Sequence, residues 1–219
     1  MGWLELGFYE KSPYEASEMT QLSSECLDLK KTGQLVYFFL KKASERQMHV
    51  TKLRLIKWIY LAERESYKEF GEPLINDKLC SLEHGPVPSG TLSIIEGKKE
   101  NVWKDIFSVA RDGSRHQYLQ LVNNCVYSSS DDLDRFSDAE VQLVESVWAE
   151  YGVWSSKRLE THLHDVSAFP EWNWKQGDKT NWIELETLLS SVGFSDEQIP
   201  QVVSNIVAFS SPQASCSGF

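Results

Sequence analysis

The stretch of residues 51–90 constrains the fold more than any other part of the sequence. Eight of the ten residues from Leu53 to Ala62 are apolar, and they cover more than one side of the helix that their spacing predicts. A helix that is apolar on nearly all sides lies buried at the centre of a domain. The sequence therefore predicts a long central helix around which the rest of the chain packs.

Both ends of this central helix carry sequence signals. Thr51 is suited to cap the N-terminus, with Val50 and Leu55 at the two positions of a hydrophobic staple. Gly71 readily adopts the left-handed conformation that ends many helices, and Pro73 prevents the helix from continuing. Gly71 and Pro73 are therefore assigned a structural role. The pattern predicts a helix of roughly twenty residues, about 30 Å long.

The sequence Gly85-Pro86-Val87-Pro88 predicts a rigid corner after the central helix. Each proline fixes its own φ angle and biases the preceding residue away from the α conformation. The corner can be purely architectural, holding an extended segment against the central helix, or it can form part of a recognition surface. Ser89 then begins a pattern typical of another short helix, in which proline is tolerated at the first turn.

The remaining pattern predicts a mainly α fold, a compact helical domain around the central helix with a small β-hairpin insertion. Ser137 and Glu140 have the spacing of a capping box, in which each side chain bonds the backbone N–H of the other residue. The hairpin is predicted where apolar and polar residues alternate, with strands at residues 117–122 and 126–127. Helices are predicted at residues 34–46, 103–107, 138–151, 156–164, 182–192 and 195–207.

Charge limits the classes of partner. The 219 residues include 32 Asp and Glu against 22 Lys and Arg, a formal net charge of −10. This charge disfavours nucleic-acid binding, which relies on a basic surface against phosphates, and favours a basic protein partner. On the central helix, Lys52, Arg54 and Lys57 are expected to form a solvated face. The Glu-Arg-Glu sequence at residues 63–65 is expected to form exposed ion pairs along the same helix.

The composition predicts a cytoplasmic protein. The cysteines at positions 26, 80, 125 and 216 are widely spaced and are expected to stay reduced. The N-terminus lacks the basic region of a secretion signal, and no apolar run approaches the roughly eighteen residues that span a membrane. The hydrophobic share of 41% is that of a globular chain, long enough for one domain with an appendage.

The sequence contains none of the common catalytic motifs. It has no glycine-rich phosphate loop, no dinucleotide fingerprint and no nucleophile elbow. His162 and His164 are two residues apart, which points them to different faces of a helix and disfavours a metal site. His84, next to Glu83, suggests a catalytic base, although a buried histidine that holds the corner explains it as well. We therefore expect a protein without enzyme activity, metal or cofactor.

Residues 51–90 resemble the core of the Panacea, or SocA-like, domain family. The family pattern is a Lys- and Leu-rich helix ending in Tyr-x-Ala-(Asp/Glu)-Arg-Glu, then a Tyr/Phe-Gly-x-Pro-Ile/Leu turn and a His/Tyr-Gly-Pro-Val-Pro-Ser corner. The similarity continues through the capping box to the segment at residues 169–172, so that it covers about residues 33–175. The matching positions of the core are Tyr60, Ala62–Glu65, Phe70, Gly71, Pro73–Ile75 and His84–Ser89.

The resemblance implies a Panacea-like domain at residues 33–176. An N-terminal arm with a weak helix precedes it at residues 1–32, and a helical pair packed on the domain follows at residues 177–219 and ends in a frayed tail. The implied function is that of an antitoxin, which neutralises a protein toxin encoded by a neighbouring gene through direct binding. Toxins that block translation are common partners in this family.

Three alternatives stay open at this point. One branch of the family works as an adaptor that delivers the toxin to a protease. A DNA-binding regulator and an enzyme built on His84 and Glu63 are the other two. The predicted partner-binding residues are Glu63, Glu83, His84 and Trp172. The free protein can be a homodimer, and neither a membrane nor a nucleic acid is expected as a partner.

Overall fold

A computed structural model of the protein describes residues 27–111, 113, 116–129 and 132–210. Most of the predicted N-terminal arm and the predicted frayed tail lie outside these residues. The helices are α1 (Leu29–Glu45), α2 (Lys52–Phe70), α3 (Ser89–Ile95), α4 (Asp138–Tyr151), α5 (Ser156–Leu163), α6 (Leu185–Ser191) and α7 (Ile199–Ser210). The strands are β1 (Leu79–Leu82), β2 (Gly85–Pro88), β3 (Phe107–Arg111), β4 (Gln117–Leu121) and β5 (Asn181–Trp182).

Helix α2 is the predicted central helix. The Thr51 side chain accepts a hydrogen bond from the Arg54 backbone N–H at 3.2 Å, and Gly71 ends the helix with a φ of +69°. Trp58 and Ile59 are fully buried, as are most residues in the middle of the helix. Strand β2 and helices α1, α4, α5 and α6 all contact α2, so the hydrophobic core is built around it.

Helix α1 begins earlier than the sequence pattern predicted. Asp28 caps its N-terminus by accepting a hydrogen bond from the Lys31 backbone N–H at 2.9 Å. Residue 33, where the domain was predicted to begin, therefore lies inside α1. The predicted capping box at the start of α4 is confirmed, because the Ser137 and Glu140 side chains each bond the other residue's backbone N–H.

The proline-rich corner is a β-strand. Residues Gly85–Pro88 form β2, which pairs antiparallel with β1 and places Val87 opposite Cys80. Strand β2 lies at the edge of a three-stranded sheet of order β2-β1-β5, and proline is tolerated at such an edge. The corner does hold an extended segment against α2, as its architectural interpretation required, but it does so through a ladder of backbone hydrogen bonds.

The third strand of this sheet comes from far along the chain. Asn181 and Trp182 pair with Ser81 and Cys80, and α6 starts only at Leu185. The prediction of a helix from residue 182 was therefore wrong at its N-terminal end. In this strand the aromatic ring of Trp182 lies against the Lys78 ammonium, with 3.9 Å between the ring centroid and Nζ.

The predicted β-hairpin exists, but its strand partner was wrong. Strand β4 pairs with β3, which precedes it, and not with residues 126–127. Phe107 was predicted in a short helix but is the first residue of β3, where it pairs with Leu121 of β4 and its side chain is buried. The Leu119 N–H also donates to the Val50 carbonyl at 2.7 Å, which ties the hairpin to the start of α2.

Helices α6 and α7 pack on the far end of α2. Phe194 and Val202 approach Gly71 so closely that their atoms lie 3.4 and 3.6 Å from the position of a Cβ atom there. Ile199 and Ile206 on the apolar stripe of α7 are buried. The fold is thus helical for the most part but contains two small sheets, where the sequence predicted one hairpin. No helix among the described residues combines the length and apolar character that crossing a bilayer requires.

Candidate partner-binding surface and cleft

A cleft of about 440 Å³ opens between the β1–β2 hairpin, the first half of α2, helix α3 and the loop at residues 174–179. Its walls are largely apolar and include Leu53, Leu82, Leu92 and Trp174. Lys57 reaches the cleft from α2, and the turn between β1 and β2 forms part of its rim. The hairpin therefore places polar residues at the mouth of a depression with apolar walls.

Lys57 is fully buried at the edge of this cleft, so its predicted place on a solvated face was wrong. Its Nζ atom donates a hydrogen bond to the Pro86 carbonyl oxygen at 2.8 Å. Burial disfavours the charged form and lowers the pKa of Lys57 to about 7. A lone cation within the apolar run Leu-Ile-Lys-Trp-Ile is the sequence signal that could have indicated burial.

Gly85 makes room for this arrangement. Its φ of +96° is a backbone conformation that favours glycine. The Lys57 Nζ and His164 Nε2 atoms lie 3.1 and 3.5 Å from the point where a Cβ atom on Gly85 would stand. His164 Nε2 is buried and accepts or donates no hydrogen bond to the protein. Two nitrogen atoms thus converge on the bare side of one glycine.

Glu83 and His84 form the exposed turn of the hairpin. The His84 side chain is 66% exposed, so it is not the buried histidine that one interpretation of the sequence described. Its Nδ1 atom lies 2.7 Å from Glu160 Oε1, and Lys157 donates to the other Glu160 oxygen at 3.1 Å. Burial alone would raise the pKa of Glu160, but these two hydrogen bonds outweigh it and lower the pKa below its usual value.

Trp172 lies directly beside this turn. Its indole N–H donates to the Leu82 carbonyl oxygen at 3.0 Å, and the His164 ring stacks on it with centroids 4.2 Å apart and planes 9° apart. The structure therefore brings three of the four predicted partner-binding residues to one place, namely Glu83, His84 and Trp172. We call these three residues the hairpin surface.

Glu63, the fourth predicted residue, lies elsewhere and is fully buried. Its carboxylate accepts hydrogen bonds from the backbone N–H groups of Leu74, Ile75 and Asn76 at 2.9, 2.8 and 3.1 Å. Burial raises the pKa of Glu63 to about 7, although the bonds from Ile75 and Leu74 oppose this shift. A buried carboxylate cannot contact a partner, so Glu63 does not belong to the binding surface. His84 bonds Glu160 and not Glu63, which removes the predicted enzyme pair.

Comparison with known families places this geometry in context. The family model described as Antitoxin SocA-like, Panacea domain, matches residues 55–173. This match spans more than half of the 219 residues. The chain belongs to the SocA-like Panacea family. Comparisons with curated proteins and with solved structures give no significant match. The matched range contains Lys57, His164 and the whole hairpin surface, whereas Trp174 of the cleft wall lies just beyond it.

A second buried network ties the end of the Panacea domain to its central helix. Arg64 was expected to pair along its own helix, but its Nε atom donates to Glu171 Oε1 at 2.6 Å. The Tyr60 hydroxyl donates to the same oxygen at 2.6 Å. Since Glu171 directly precedes Trp172, this network fixes one end of the hairpin surface. The pairing of Arg64 with Glu171 was not predicted from the sequence, because the two residues are 107 positions apart.

Several residues near the cleft were missed by sequence reasoning. Lys57, Glu160 and His164 meet only because α2, α5 and β2 pack together, and their spacing in the chain gives no motif. In the described part of the chain, no group of three His, Cys, Asp or Glu side chains is arranged to hold a metal ion. The residues at the cleft and the hairpin surface can form hydrogen bonds, ion pairs and apolar contacts.

Proposed function

We propose that this Panacea-domain protein is an antitoxin that neutralises a protein toxin by binding it directly. The observation that carries the proposal is the match to the SocA-like antitoxin family over residues 55–173. The toxin is encoded by a neighbouring gene, acts on translation and meets the antitoxin in the cytoplasm. The net charge of −10 supports a basic partner, because opposite charge speeds the encounter of two proteins.

The hairpin surface is the proposed contact with the toxin. Glu83 and His84 are exposed, while the β1–β2 ladder and the hydrogen bond from Trp172 to Leu82 hold the turn in place. Residues held on a rigid scaffold lose little conformational entropy when they bind, and a tryptophan beside charged groups is a frequent centre of a protein interface. Such a surface blocks a toxin sterically without any chemistry of its own.

Co-expression tests this proposal. The adjacent open reading frame is induced with and without this protein, growth is followed, and the pair is co-purified. We expect growth arrest by the toxin alone, relief by the wild-type protein and a stable complex. Alanine at residues 83, 84 and 172 together is expected to abolish both relief and complex, because it removes the charged and aromatic groups of the surface.

The matched control is Gln201→Ala on the exposed side of α7, which is expected to protect like the wild type. Full protection by a folded triple variant would show that the toxin binds elsewhere. If no neighbouring gene is toxic, the antitoxin proposal fails. Relief that requires a cellular protease and gives no complex would favour an adaptor that delivers the toxin for degradation.

A further inference from the structure

The walls of the cleft form an apolar surface that is open to solvent. Leu53, Leu82, Leu92 and Trp174 line its volume of about 440 Å³, and all four side chains are partly exposed. Adjoining exposed apolar side chains on a folded protein commonly mark a place where another segment binds. The cleft therefore fits an apolar occupant.

The N-terminal segment of this chain, residues 1–26, has the composition of such an occupant. The apolar residues of its first part are Trp3, Leu4, Leu6, Phe8 and Tyr9. Exposure of such side chains to water is unfavourable, and aromatic side chains contribute much of the apolar area that a contact buries.

The described part of the chain begins close to the cleft. The Leu27 Cδ2 atom lies 3.1 Å from the point where a Cβ atom on Gly90 of helix α3 would stand. Leu92, two residues further along the same helix, lines the cleft. A path from Leu27 to the cleft therefore passes around one helix, which is about 10–12 Å across. Residues 1–26 span at most about 90 Å when extended, so the aromatic residues can reach the cleft.

Charges at the rim of the cleft complement the N-terminal segment, which contains five glutamates and one lysine. Lys52 and Lys179 line the cleft, and neither forms an ion pair with a residue that the structure describes. By contrast, Glu96 forms an ion pair of 2.6 Å with a neighbouring lysine, and the Asp178 carboxylate accepts two hydrogen bonds. Glu83 is the remaining carboxylate of the rim. The rim therefore offers two cations to an acidic segment.

We propose that the N-terminal segment docks in the cleft of its own chain, with the aromatic residues of its first nine positions against Leu53, Leu92 and Trp174. A covalently attached segment has an effective concentration on the order of millimolar, so it occupies the cleft in preference to a dilute free partner.

The docked segment lies beside the hairpin surface, because Glu83 and His84 also line the cleft. A toxin that binds the hairpin surface would contact this segment or displace it. The inference goes beyond the antitoxin function, and its test requires no toxin. Either proposal can therefore fail while the other holds.

Photo-crosslinking in the full chain tests the docking. The photoreactive residue p-benzoylphenylalanine replaces Phe8, an equal mixture of ordinary and isotope-labelled protein is irradiated, and the crosslinked peptides are identified by mass spectrometry. We expect most crosslinks to fall on residues that line the cleft, at 52–57, 82–87, 92–96 or 174–179, and to join two peptides of the same molecule. The same probe in place of Gln201, which is exposed on α7, is the control and should give no crosslink to the cleft.

Crosslinks from position 8 that fall only outside the cleft would overturn the proposal. Crosslinks that join an ordinary molecule to a labelled one would also overturn it, because they would place the segment in the cleft of a second copy. A probe in place of Leu4 repeats the measurement, so that one unfavourable side-chain orientation does not decide it. Failure to reach the cleft from both positions would mean that the segment does not dock there.

Charge reversal at the rim gives an independent measurement. The double variant Lys52→Glu, Lys179→Glu replaces attraction to the glutamates by repulsion, and we expect it to lower the yield of crosslinks to the cleft at least about twofold at low salt. The difference should disappear at about 1 M NaCl, where the screening length is about 3 Å. Lys104→Glu, at an exposed position that does not line the cleft, is the matched control and should leave the yield unchanged. Equal yields from the double variant and the wild type at low salt would show that the segment does not lie along this rim.

Discussion

Helix α2 contains two charged residues, Glu63 and Lys57, that are both fully buried but differ in their hydrogen-bond partners. The Glu63 carboxylate receives three backbone N–H groups from the turn that follows the helix. The Lys57 amine has only one partner, the Pro86 carbonyl oxygen. Both positions are 0% exposed, so burial alone does not distinguish them.

The two side chains differ in how many of their hydrogen-bonding positions have a partner in the protein. Three donors close around Glu63 and make it a fixed part of the turn at residues 74–76. Lys57 is equally buried, but its amine has a single acceptor in the protein, the Pro86 carbonyl oxygen. A buried group with few partners has less to offset the loss of hydration of its charged form. Mutations can test this distinction directly.

The largest effect is expected from Glu63→Ala. It leaves the backbone N–H groups of Leu74, Ile75 and Asn76 without their acceptor, and each buried donor without a partner is costly. We expect the free energy of unfolding to fall by about 3 kcal/mol or more, measured by urea denaturation. The control is Glu65→Ala on the same helix, which removes only an exposed pair with Lys68 and should cost less than about 1 kcal/mol. Equal losses in the two variants would show that Glu63 is not the acceptor that organises this turn.

A smaller effect is expected from Gly85→Ala. The new Cβ atom would lie 3.1 Å from Lys57 Nζ, on a backbone with a φ of +96°. Strain in this backbone region costs about 1–3 kcal/mol, and the displaced amine adds to it. Thermal unfolding of Gly85→Ala and Gly97→Ala separates the two causes.

Gly97 is the matched position because its φ is +75° but nothing lies within 4 Å of its Cβ position. Gly97→Ala therefore carries the backbone strain alone. If both variants lose the same stability, the close approach of Lys57 to Gly85 contributes nothing.

The smallest effect at neutral pH is expected from Lys57→Met. Replacing an incompletely satisfied buried amine with an apolar side chain should change the free energy of unfolding by no more than about 1 kcal/mol at pH 7. The pH dependence is more informative. Since burial lowers the pKa of Lys57 from 10.5 to about 7, the unfolded chain holds a proton that the folded protein has lost between these values.

Stability that depends on such a group rises with pH in this window. The wild type should therefore gain stability relative to Lys57→Met from pH 7 toward pH 10, by up to about 1.4 kcal/mol per pH unit. The difference between the two proteins isolates Lys57, because every other titrating group is present in both. Parallel curves for the two proteins across this range would mean that Lys57 is not the desolvated amine described here.

Local signals in the sequence were sufficient to predict much of the helical framework. Thr51 and Gly71 mark the ends of α2 because caps depend on residues within one turn of the helix. The capping box at Ser137 works in the same way. Glu83 and His84 were predicted to contact a partner, and of these two residues only His84 belongs to the family motif.

Features that depend on distant contacts were not predictable from such signals. The two prolines of β2 disfavour a strand when only the local sequence is considered, and the strand forms because β1 pairs with it. Strand β5 joins the same sheet from about 100 residues away. Lys57 and Glu63 were placed in solvent because charged residues usually are exposed. What buries them is the packing of the hairpin and of the turn at residues 74–76, which a helical pattern does not encode.

The prolines of β2 also determine how the sheet can meet another molecule. The Ser89 N–H donates to the Lys78 carbonyl at 2.9 Å. Backbone groups alternate in direction along a strand, so those of Val87 and Gly85 also point toward β1, whereas those of Pro86 and Pro88 point away from it. The outer edge therefore presents no N–H group at either position, and Lys57 already occupies the Pro86 carbonyl.

The four residues of β2 are also buried and α2 packs against the strand, so an incoming strand from another chain finds no free edge there. Strand addition between molecules, which commonly leads to aggregates, therefore cannot occur at this edge. A partner that contacts the exposed turn of the hairpin must therefore recognise side chains, and recognition of side chains depends on sequence in a way that strand addition does not.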